Sequence, residues 1–410
     1  MANTMKFGNG NWATKESSTL AYNDENENFK PLPFDFSRAS NATAVNKEGL
    51  IEVLGSDTPK IDYLDNTKGA LLLEKTATNK VLYSNDLTQW ANIGSSATVT
   101  NEGVSIVKNN TASRVQMTGS SSNSYLSGSV FCMAGTNHTF SFWAKGETAG
   151  LTFGVTYSGG SAPSYVTKTI ASDSDEWIKY EASFYSPGYL TVYYTFYNAS
   201  NMDAVDFYVD GVQFEQVTTL DDSSTSLIET SGSAVSRVAD ECSGAGNEQV
   251  INSTEGVLYC EMSALADDLS SRYISINDGT NQNQVDIHYD VSSNQIKGFC
   301  RVSNSLVGIT EFIANDIIDF NKIAFKYKEN DFALWVNGVE EVIDTSGVTF
   351  PANTLNELSF DNGSTSGDKF YGKTKDLRVY NTALTDLELE GISSWESFIA
   401  MANGQNYTIK

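Results

Sequence analysis

The sequence predicts an all-β protein: two β-sandwich domains in tandem after a small N-terminal β-meander. Three observations carry this. Apolar and polar residues alternate over short runs, as in Thr139-Phe140-Ser141-Phe142-Trp143-Ala144 and Leu151-Thr152-Phe153-Gly154-Val155, and period two is the signature of a strand with one buried face. Turn signals recur about every ten residues between Phe34 and Trp90, at Lys47-Glu48-Gly49, Asp57-Thr58-Pro59 and Asn66-Thr67-Lys68-Gly69. The 410 residues are rich in Ser, Thr, Asn and Gly, with 6 Pro and with 20 Tyr and 21 Phe against 6 Trp. Long helical patterns are nearly absent.

The elements follow in order. Residues 1–33 are polar, with an acidic Asp24-Glu25-Asn26-Glu27 run and Trp12 and Phe29 as anchors; they read as an attachment arm, against a merely flexible terminus. Residues 34–80 form the meander. Residues 81–217 form the first sandwich, with Trp177–Ala182 as an edge strand, Leu190–Tyr197 directing Val192, Tyr194 and Phe196 to one face, and Val205–Glu215 as a closing strand bulged at Gly211. Residues 218–247 read as a linker in which Arg237 and Asp240 contact the second domain. Residues 248–392 form the second sandwich, where Lys322–Tyr327 pairs with Phe332–Gly338 across the turn Lys328-Glu329-Asn330-Asp331. Thr385 caps a short helix, with Glu388 completing a capping box. Residues 393–410 are a tail.

The formal net charge of −25 repels phosphate backbones and anionic bilayers, which argues against nucleic acid and membrane as partners. No run approaches the ~20 apolar residues of a membrane helix, and Met1–Gly8 carries no apolar signal region. The cysteines Cys132, Cys242, Cys260 and Cys300 form no CxxC pair. They read as buried free thiols, consistent with folding in a reducing cytoplasm.

The segment Arg38-Ala39-Ser40…Ala42-Thr43, Gly49-Leu50-Ile51-Glu52-Val53, Pro59-Lys60-Ile61-Asp62-Tyr63 and Leu71-Leu72-Leu73-Glu74…Thr78-Asn79 resembles the N-terminal portion of tailed-bacteriophage appendage and structural proteins. Ser231-Gly232-Ser233…Arg237…Ala239-Asp240 is similar to a phrase at domain handovers in that group. Asn85-Asp86-Leu87…Trp90, closing on Val209-Asp210-Gly211-Val212-Gln213-Phe214-Glu215, resembles jelly-roll carbohydrate-binding modules, whose first and last strands lie close together. Trp335-Val336-Asn337-Gly338 and Lys375–Glu388 resemble concanavalin A-like and laminin-G-like lectin sandwiches. The resemblance implies a non-enzymatic virion protein, folded in the host cytoplasm. It would be an exposed fibre or appendage subunit attached through its N-terminal region to other virion proteins, adhering to host glycans as a homo-oligomer, most naturally a trimer. A head decoration or collar protein without sugar binding and a polysaccharide depolymerase are the alternatives.

Glycan sites place an aromatic ring under a sugar's apolar face. Trp143, Tyr193 and Tyr197 are the candidates in the first sandwich, against core or interface packing. In the second, Asn277-Asp278-Gly279 and Asp361-Asn362-Gly363 offer oxygen ligands through Asp278 and Asn362, against plain turns. By resemblance alone, Asn85, Asp210 and Glu215 would hold a structural Ca2+; no cofactor is otherwise required. The Glu-x-Asp-x-x-Glu string of hydrolases with this fold is absent. Asp286, His288 and Asp290 share a strand face and are either an acid–base or metal set or a solvated polar face. His138 sits in a loop before a strand, with no nucleophile phrase nearby. Ser158-Gly159-Gly160 lacks the Lys and helix start of a phosphate cradle. No catalytic residue is assigned.

Overall fold

The computed structural model describes residues 4–8, 10–15, 18–23, 28–64, 66–90, 92–94, 96–118, 124–158, 164–199, 203–220, 223–364 and 367–409. The acidic run 24–27 and the glycines of Ser158-Gly159-Gly160 lie outside them. The chain is all-β as expected, built almost entirely from antiparallel sheets. Among the described residues no helix is long and apolar enough to cross a membrane.

The chain divides into two compact units, and both are discontinuous in sequence. The first comprises Met1–Ala39, Asp57–Lys75 and Ala239–Lys410; the second comprises Ser40–Ser56 and Thr76–Val238. This division cuts across the meander. The hairpin Ala42–Val45 with Ile51–Leu54 belongs to the second unit, whereas Lys60–Asp62 with Ala70–Leu73 belongs to the first. The first hairpin turns where the sequence marks it: Asn46 accepts from the amides of Glu48 and Leu50 at 3.0 Å each, an Asx turn.

In the first unit, one sheet runs in the order Val339–Asp344, Phe332–Val336, Asn321–Lys328, Glu255–Ala264, Gly372–Tyr380, Ala70–Leu73, Lys60–Asp62. It faces a second of Ser305–Ile313, Gln295–Val302, Gln284–Tyr289, Arg272–Asn277 and Glu357–Ser359. Alternate residues meet between them: Leu258, Cys260 and Met262 from one sheet with Ile274, Ile276, Val285 and Ile287 from the other, all fully buried. The expected hairpin pairs Ile323 with Val336 and Phe325 with Leu334. Thr385 caps the helix Asp386–Ser393 in a full capping box with Glu388.

Two terminal assignments change. Residues 1–33 were expected as an arm, yet Thr4–Gly8 pairs along Gly372–Tyr380, with Phe7 opposite Leu377. Trp12–Lys15, Ser18–Asn23 and Asn28–Pro31 then form their own small sheet, with the Trp12 indole donating to the Gly69 carbonyl at 2.8 Å. The tail after residue 393 contains a further helix, Phe398–Gly404, capped by Ser397.

In the second unit, Asn92–Ile93, Ser124–Cys132, Leu190–Asn198, Thr152–Thr156 and Val166–Thr169 form one sheet. Ala97–Val104, Thr111–Met117, Val205–Val217, Thr136–Glu147 and Ser174–Ser186 form the other. Phe140, Phe142 and Ala144 pack against Phe153, Val155, Val192, Tyr194 and Phe196. The closing strand is bulged as expected. Register shifts between Ser141 and Trp143 opposite it, where Gly211 adopts φ +58°, a backbone state that favours glycine. Opening and closing segments do lie together: Lys80 donates to the Phe214 carbonyl at 2.9 Å and Val212 to the Ser84 carbonyl at 2.8 Å.

The expected linker is largely structure. Residues 223–230 lie on the outer face of Val205–Val217. Ile228 donates to Gln213 Oε1 at 2.7 Å, Asn79 Nδ2 donates to the Ile228 carbonyl at 2.8 Å, and Thr43 donates to the Leu227 carbonyl at 2.7 Å. Arg237, expected on the second sandwich, instead bonds Ser226 at 2.8 Å inside the second unit.

Asp240 does belong to the first unit, in a fully buried charge cluster. It accepts from Arg38 Nη1 at 3.1 Å and from Lys60 Nζ at 2.9 Å. Lys60 also pairs with Glu74, whose backbone amide donates to Asp240 Oδ2 at 2.8 Å. Asp57 and Arg38 exchange two further bonds, at 2.8 and 3.0 Å. Removing one partner from such a site typically costs about 3–5 kcal/mol, because the remaining charges stay buried. Asp240→Ala should therefore lower the denaturation midpoint of the full chain by an amount equivalent to about 3–5 kcal/mol. Lys108→Ala, which breaks an exposed pair with Glu52, should leave the midpoint unchanged. Equal midpoints for the two variants would refute this role for the cluster.

Candidate functional site

The three residues assigned by resemblance to calcium each have protein partners. Asp210 is fully buried and accepts from the Gly211 amide at 2.9 Å and from the Ser105 hydroxyl. Asn85 donates to Glu229 at 2.7 Å. Glu215 accepts from the Thr225 amide and, at 2.9 Å, from its hydroxyl. Asp210 lies opposite Trp143 and Glu215 opposite Thr139, so the bulge leaves them four ladder positions, roughly 13 Å, apart at ~3.3 Å per residue, whereas Ca2+ ligands sit at about 2.3–2.6 Å from the ion. Among the described residues no cluster of three acidic, His or Cys side chains is arranged to hold a metal. Asn85 and Glu215 splint residues 223–230 to the sandwich.

The same segment changes the reading of Trp143, which is 9% exposed. Its ring lies beside Gly211, where Leu227 also packs. Tyr197 is buried as well. Of the three candidate rings Tyr193 alone is half-exposed, in register with Ser129 and Thr156.

Tyr193 marks an end of the sandwich where other aromatic residues gather. Antiparallel register places the ends of several strands there: Cys132 opposite Leu190, Thr156 opposite Tyr193, Val155 opposite Val166 and Thr136 opposite Ser186. The short connections 133–135 and 187–189 join the two sheets at this end. Around it stand Phe131 at 57% exposure, Tyr157 at 67%, Tyr165 at 40%, Tyr185 at 53% and Tyr189 at 74%. Tyr165 also stacks on Phe184 at 6.0 Å, which ties the rim to the core. Sequence alternation does not reveal this group, because its members sit at strand ends and connections. The usable signal was aromatic residues beside Gly, Pro and Ser, as in Ser186-Pro187-Gly188-Tyr189.

In the first unit, Asp278 and Asn362 lie on loops that abut, since Gly363 packs against Asn277 and Thr280. Both act as turn makers. Asp278 accepts from the Thr280 amide at 3.0 Å and from Asn283 at 2.8 Å; Asn362 accepts from the Ser364 amide at 3.2 Å. Behind them Asn277 donates to Ser275 and Ser359 at 2.9 Å each.

Asp286 and His288 do share a face, but it is not solvated: they are 0% and 1% exposed. His288 Nδ1 lies 2.6 Å from Asp286 Oδ1, and its ring stacks on Tyr273 at 4.2 Å and meets Phe299 edge-on at 4.8 Å. Aromatic residues on the flanking strands cover the pair. Burial raises the Asp286 carboxyl, which His288 partly offsets. Asp290 stands apart, paired with Lys297 at 2.7 Å. His138, expected in a loop, lies within Thr136–Glu147, fully buried between Phe184 and Phe214. All four cysteines are free and buried.

No protein-family model and no curated protein matches the chain. Among solved structures, a leech intramolecular trans-sialidase complexed with 2,7-anhydro-Neu5Ac aligns at 18% identity and TM-score 0.30. The alignment covers 36% of this chain and 24% of the enzyme, so about a quarter of that protein's length is spanned. A structure described as "CBM4 structure and function" aligns at 16% identity and TM-score 0.24, over 30% of this chain and 78% of its own. Domains LG4-5 of the mouse laminin alpha1 chain align at 9% identity and TM-score 0.24, over 75% and 93%.

Two buried groups of the second unit titrate in one window with opposite signs. Burial, with the Lys80 charge nearby, holds His138 down to about 4 from an ordinary 6.5. The unfolded chain takes up that proton first, so acidification from pH 6.5 to 4 favours unfolding. Burial pushes Asp210 up to about 6 from 3.8. Here the folded chain takes up the proton first, so acidification from pH 6 to 4 favours folding. Each contribution is on the order of 3 kcal/mol. Relative to the parent, His138→Gln should gain stability between about pH 6.5 and 4.5 and Asp210→Asn should lose it. Equilibrium denaturation at the two pH values checks both signs.

Proposed function

We propose that this chain is a non-enzymatic, exposed fibre or appendage subunit of a tailed-bacteriophage virion that adheres to host-surface glycans. The virion assignment rests on the resemblance of the segment from Arg38 to Asn79. The adhesion reading is carried by one observation, the exposed rim of Phe131, Tyr157, Tyr165, Tyr185 and Tyr189 at one end of the second unit. Tyrosine suits such a surface: its ring packs on the C–H face of a sugar while its hydroxyl stays available to sugar hydroxyls. The −25 net charge favours neutral over anionic glycans. Shallow sites of this kind bind weakly one by one. Several copies on one particle raise the effective affinity without new contacts.

The test has two arms. Gold-labelled antibody on purified particles should decorate an appendage, and absence of label from every particle would remove the virion assignment. On an array of neutral host-surface glycans, the full-length chain should be retained, and Tyr157→Ala/Tyr189→Ala should lower that binding by about tenfold, since each stacked ring contributes about 0.5–1.5 kcal/mol. Retention unchanged by the double substitution would remove the rim from the adhesion mechanism.

A further inference from the structure

The Lys60 side chain is fully buried, and so are the two carboxylates that meet it. Lys60 opens the strand Lys60–Asp62, and Glu74 directly follows the partner strand Ala70–Leu73. Register sets Lys60 opposite Leu72, so Glu74, two residues on, is its diagonal neighbour on the same face. Asp240 is fixed beside them through the backbone: its amide donates to the Glu74 carbonyl at 3.0 Å, and its Oδ2 accepts from the Glu74 amide at 2.8 Å. Lys60 Nζ touches the Glu74 carboxylate and lies 2.9 Å from Asp240 Oδ2. Arg38 Nη1 holds the other Asp240 oxygen at 3.1 Å.

Other little-exposed lysines of this unit are placed differently. Lys326 pairs at 2.7 Å with Asp331, whose side chain is 49% exposed. Lys375 stands 3.8 Å from the nearest Glu261 oxygen, too far for direct proton transfer. At Lys60 an amine, a carboxylate to condense with it and a second carboxylate to carry its proton are in contact, shut away from solvent. In water an ammonium and a carboxylate do not condense, because the amine stays protonated and hydrolysis is favoured. A dry site reverses both conditions. Two buried charges bear a desolvation cost that a neutral amide avoids. Groups held in contact can also reach effective molarities on the order of 10⁵–10⁸ M.

We propose that Lys60 and Glu74 condense into an intramolecular amide, an isopeptide bond, with Asp240 as the proton carrier. The Lys60 ammonium gives one proton to the Glu74 carboxylate, leaving a neutral amine and a carboxylic acid. The Nζ lone pair attacks Glu74 Cδ, the carbonyl electron pair moves onto oxygen, and Nζ passes a second proton to Asp240 Oδ2. The carbonyl then re-forms, the Cδ–OH bond breaks, and the leaving hydroxide takes the proton back from Asp240 as water. One ammonium and one carboxylate thus become one amide and one water, with no co-reactant. The ion-paired cluster is the reactant state, and the Arg38–Asp240 pair survives the reaction. Glu74 is the acyl partner because Asp240 is already committed to Arg38. The bond is independent of the virion and glycan readings.

The test is the intact mass of the purified, denatured full-length chain, followed by sequencing of its tryptic peptides. The parent should weigh one water less than its sequence. Peptide 48–68, uncut after Lys60, should be joined to peptide 69–75 through Glu74. Lys60→Arg keeps the charge but removes the amine nucleophile, so it should show its full sequence mass. Asp240→Asn should do the same, because an amide cannot take and return the proton; circular dichroism of both variants should match the parent. Should Asp240→Asn fail to fold, the parent and Lys60→Arg masses still decide the bond. A parent with its full sequence mass, cut normally after Lys60, overturns the proposal. A missing water that maps elsewhere, to a cyclic imide at Asp278-Gly279 or to a Lys60–Asp240 link, overturns it too. Complete linkage in a folded Asp240→Asn removes Asp240 from the mechanism.

Discussion

The first unit depends on a buried charge cluster that holds together segments far apart in sequence. Arg38, Asp57, Glu74 and Asp240 each lie within two residues of a point where the chain leaves or re-enters that unit. Lys60 sits among them, and Arg38, Lys60, Glu74 and Asp240 are all fully or nearly fully buried. Charges in such a place are stable only as a set, because each one left alone would face a desolvation cost of several kcal/mol. Their mutual bonds fix which backbone segments meet. The alignment of Lys60–Asp62 with Ala70–Leu73, and of that pair with Gly372–Tyr380, follows from the same placement.

The second unit solves a related problem with neutral and singly charged groups. A strand buried on both faces needs something to cover its polar outer side. On Val205–Val217 that cover is the segment 223–230, held through Asn79, Gln213 and Glu215. Side chains that a solvent-facing pattern would leave wet are thereby dry. The same holds for Asp286 and His288 in the first unit, where Tyr273 and Phe299 are the cover.

This explains what was legible in the sequence. Local devices were: the hairpin across Lys328–Asp331, the Thr385 cap with Glu388, the Gly211 bulge and the alternating core strands each depend on residues close in sequence. Long-range devices were not. Trp143 reads as an exposed ring until Leu227, 84 positions later, is placed beside Gly211. The linker reading of 218–247 failed because its hydrogen-bond partners, Thr43, Asn79 and Gln213, are spread over the preceding 200 residues. The tyrosine rim was invisible for the same reason, since only strand register brings Phe131, Tyr157 and Tyr189 to one end.

The interleaving of the two units also orders events on the ribosome. The second unit is complete in sequence at Val238, whereas the first still lacks residues 239–410. At about 5–20 residues per second, synthesis of that stretch takes roughly 10–30 s. For most of this interval Thr4–Gly8 and Ala70–Leu73 have been made, but the strand both pair with, Gly372–Tyr380, has not. The nascent chain therefore carries unpaired strand edges beside a unit already able to fold, a state open to mispairing with neighbouring chains. Crowded polysomes and slow decoding after Val238 lengthen that exposure, so the yield of native protein is set by translation kinetics as well as by final stability.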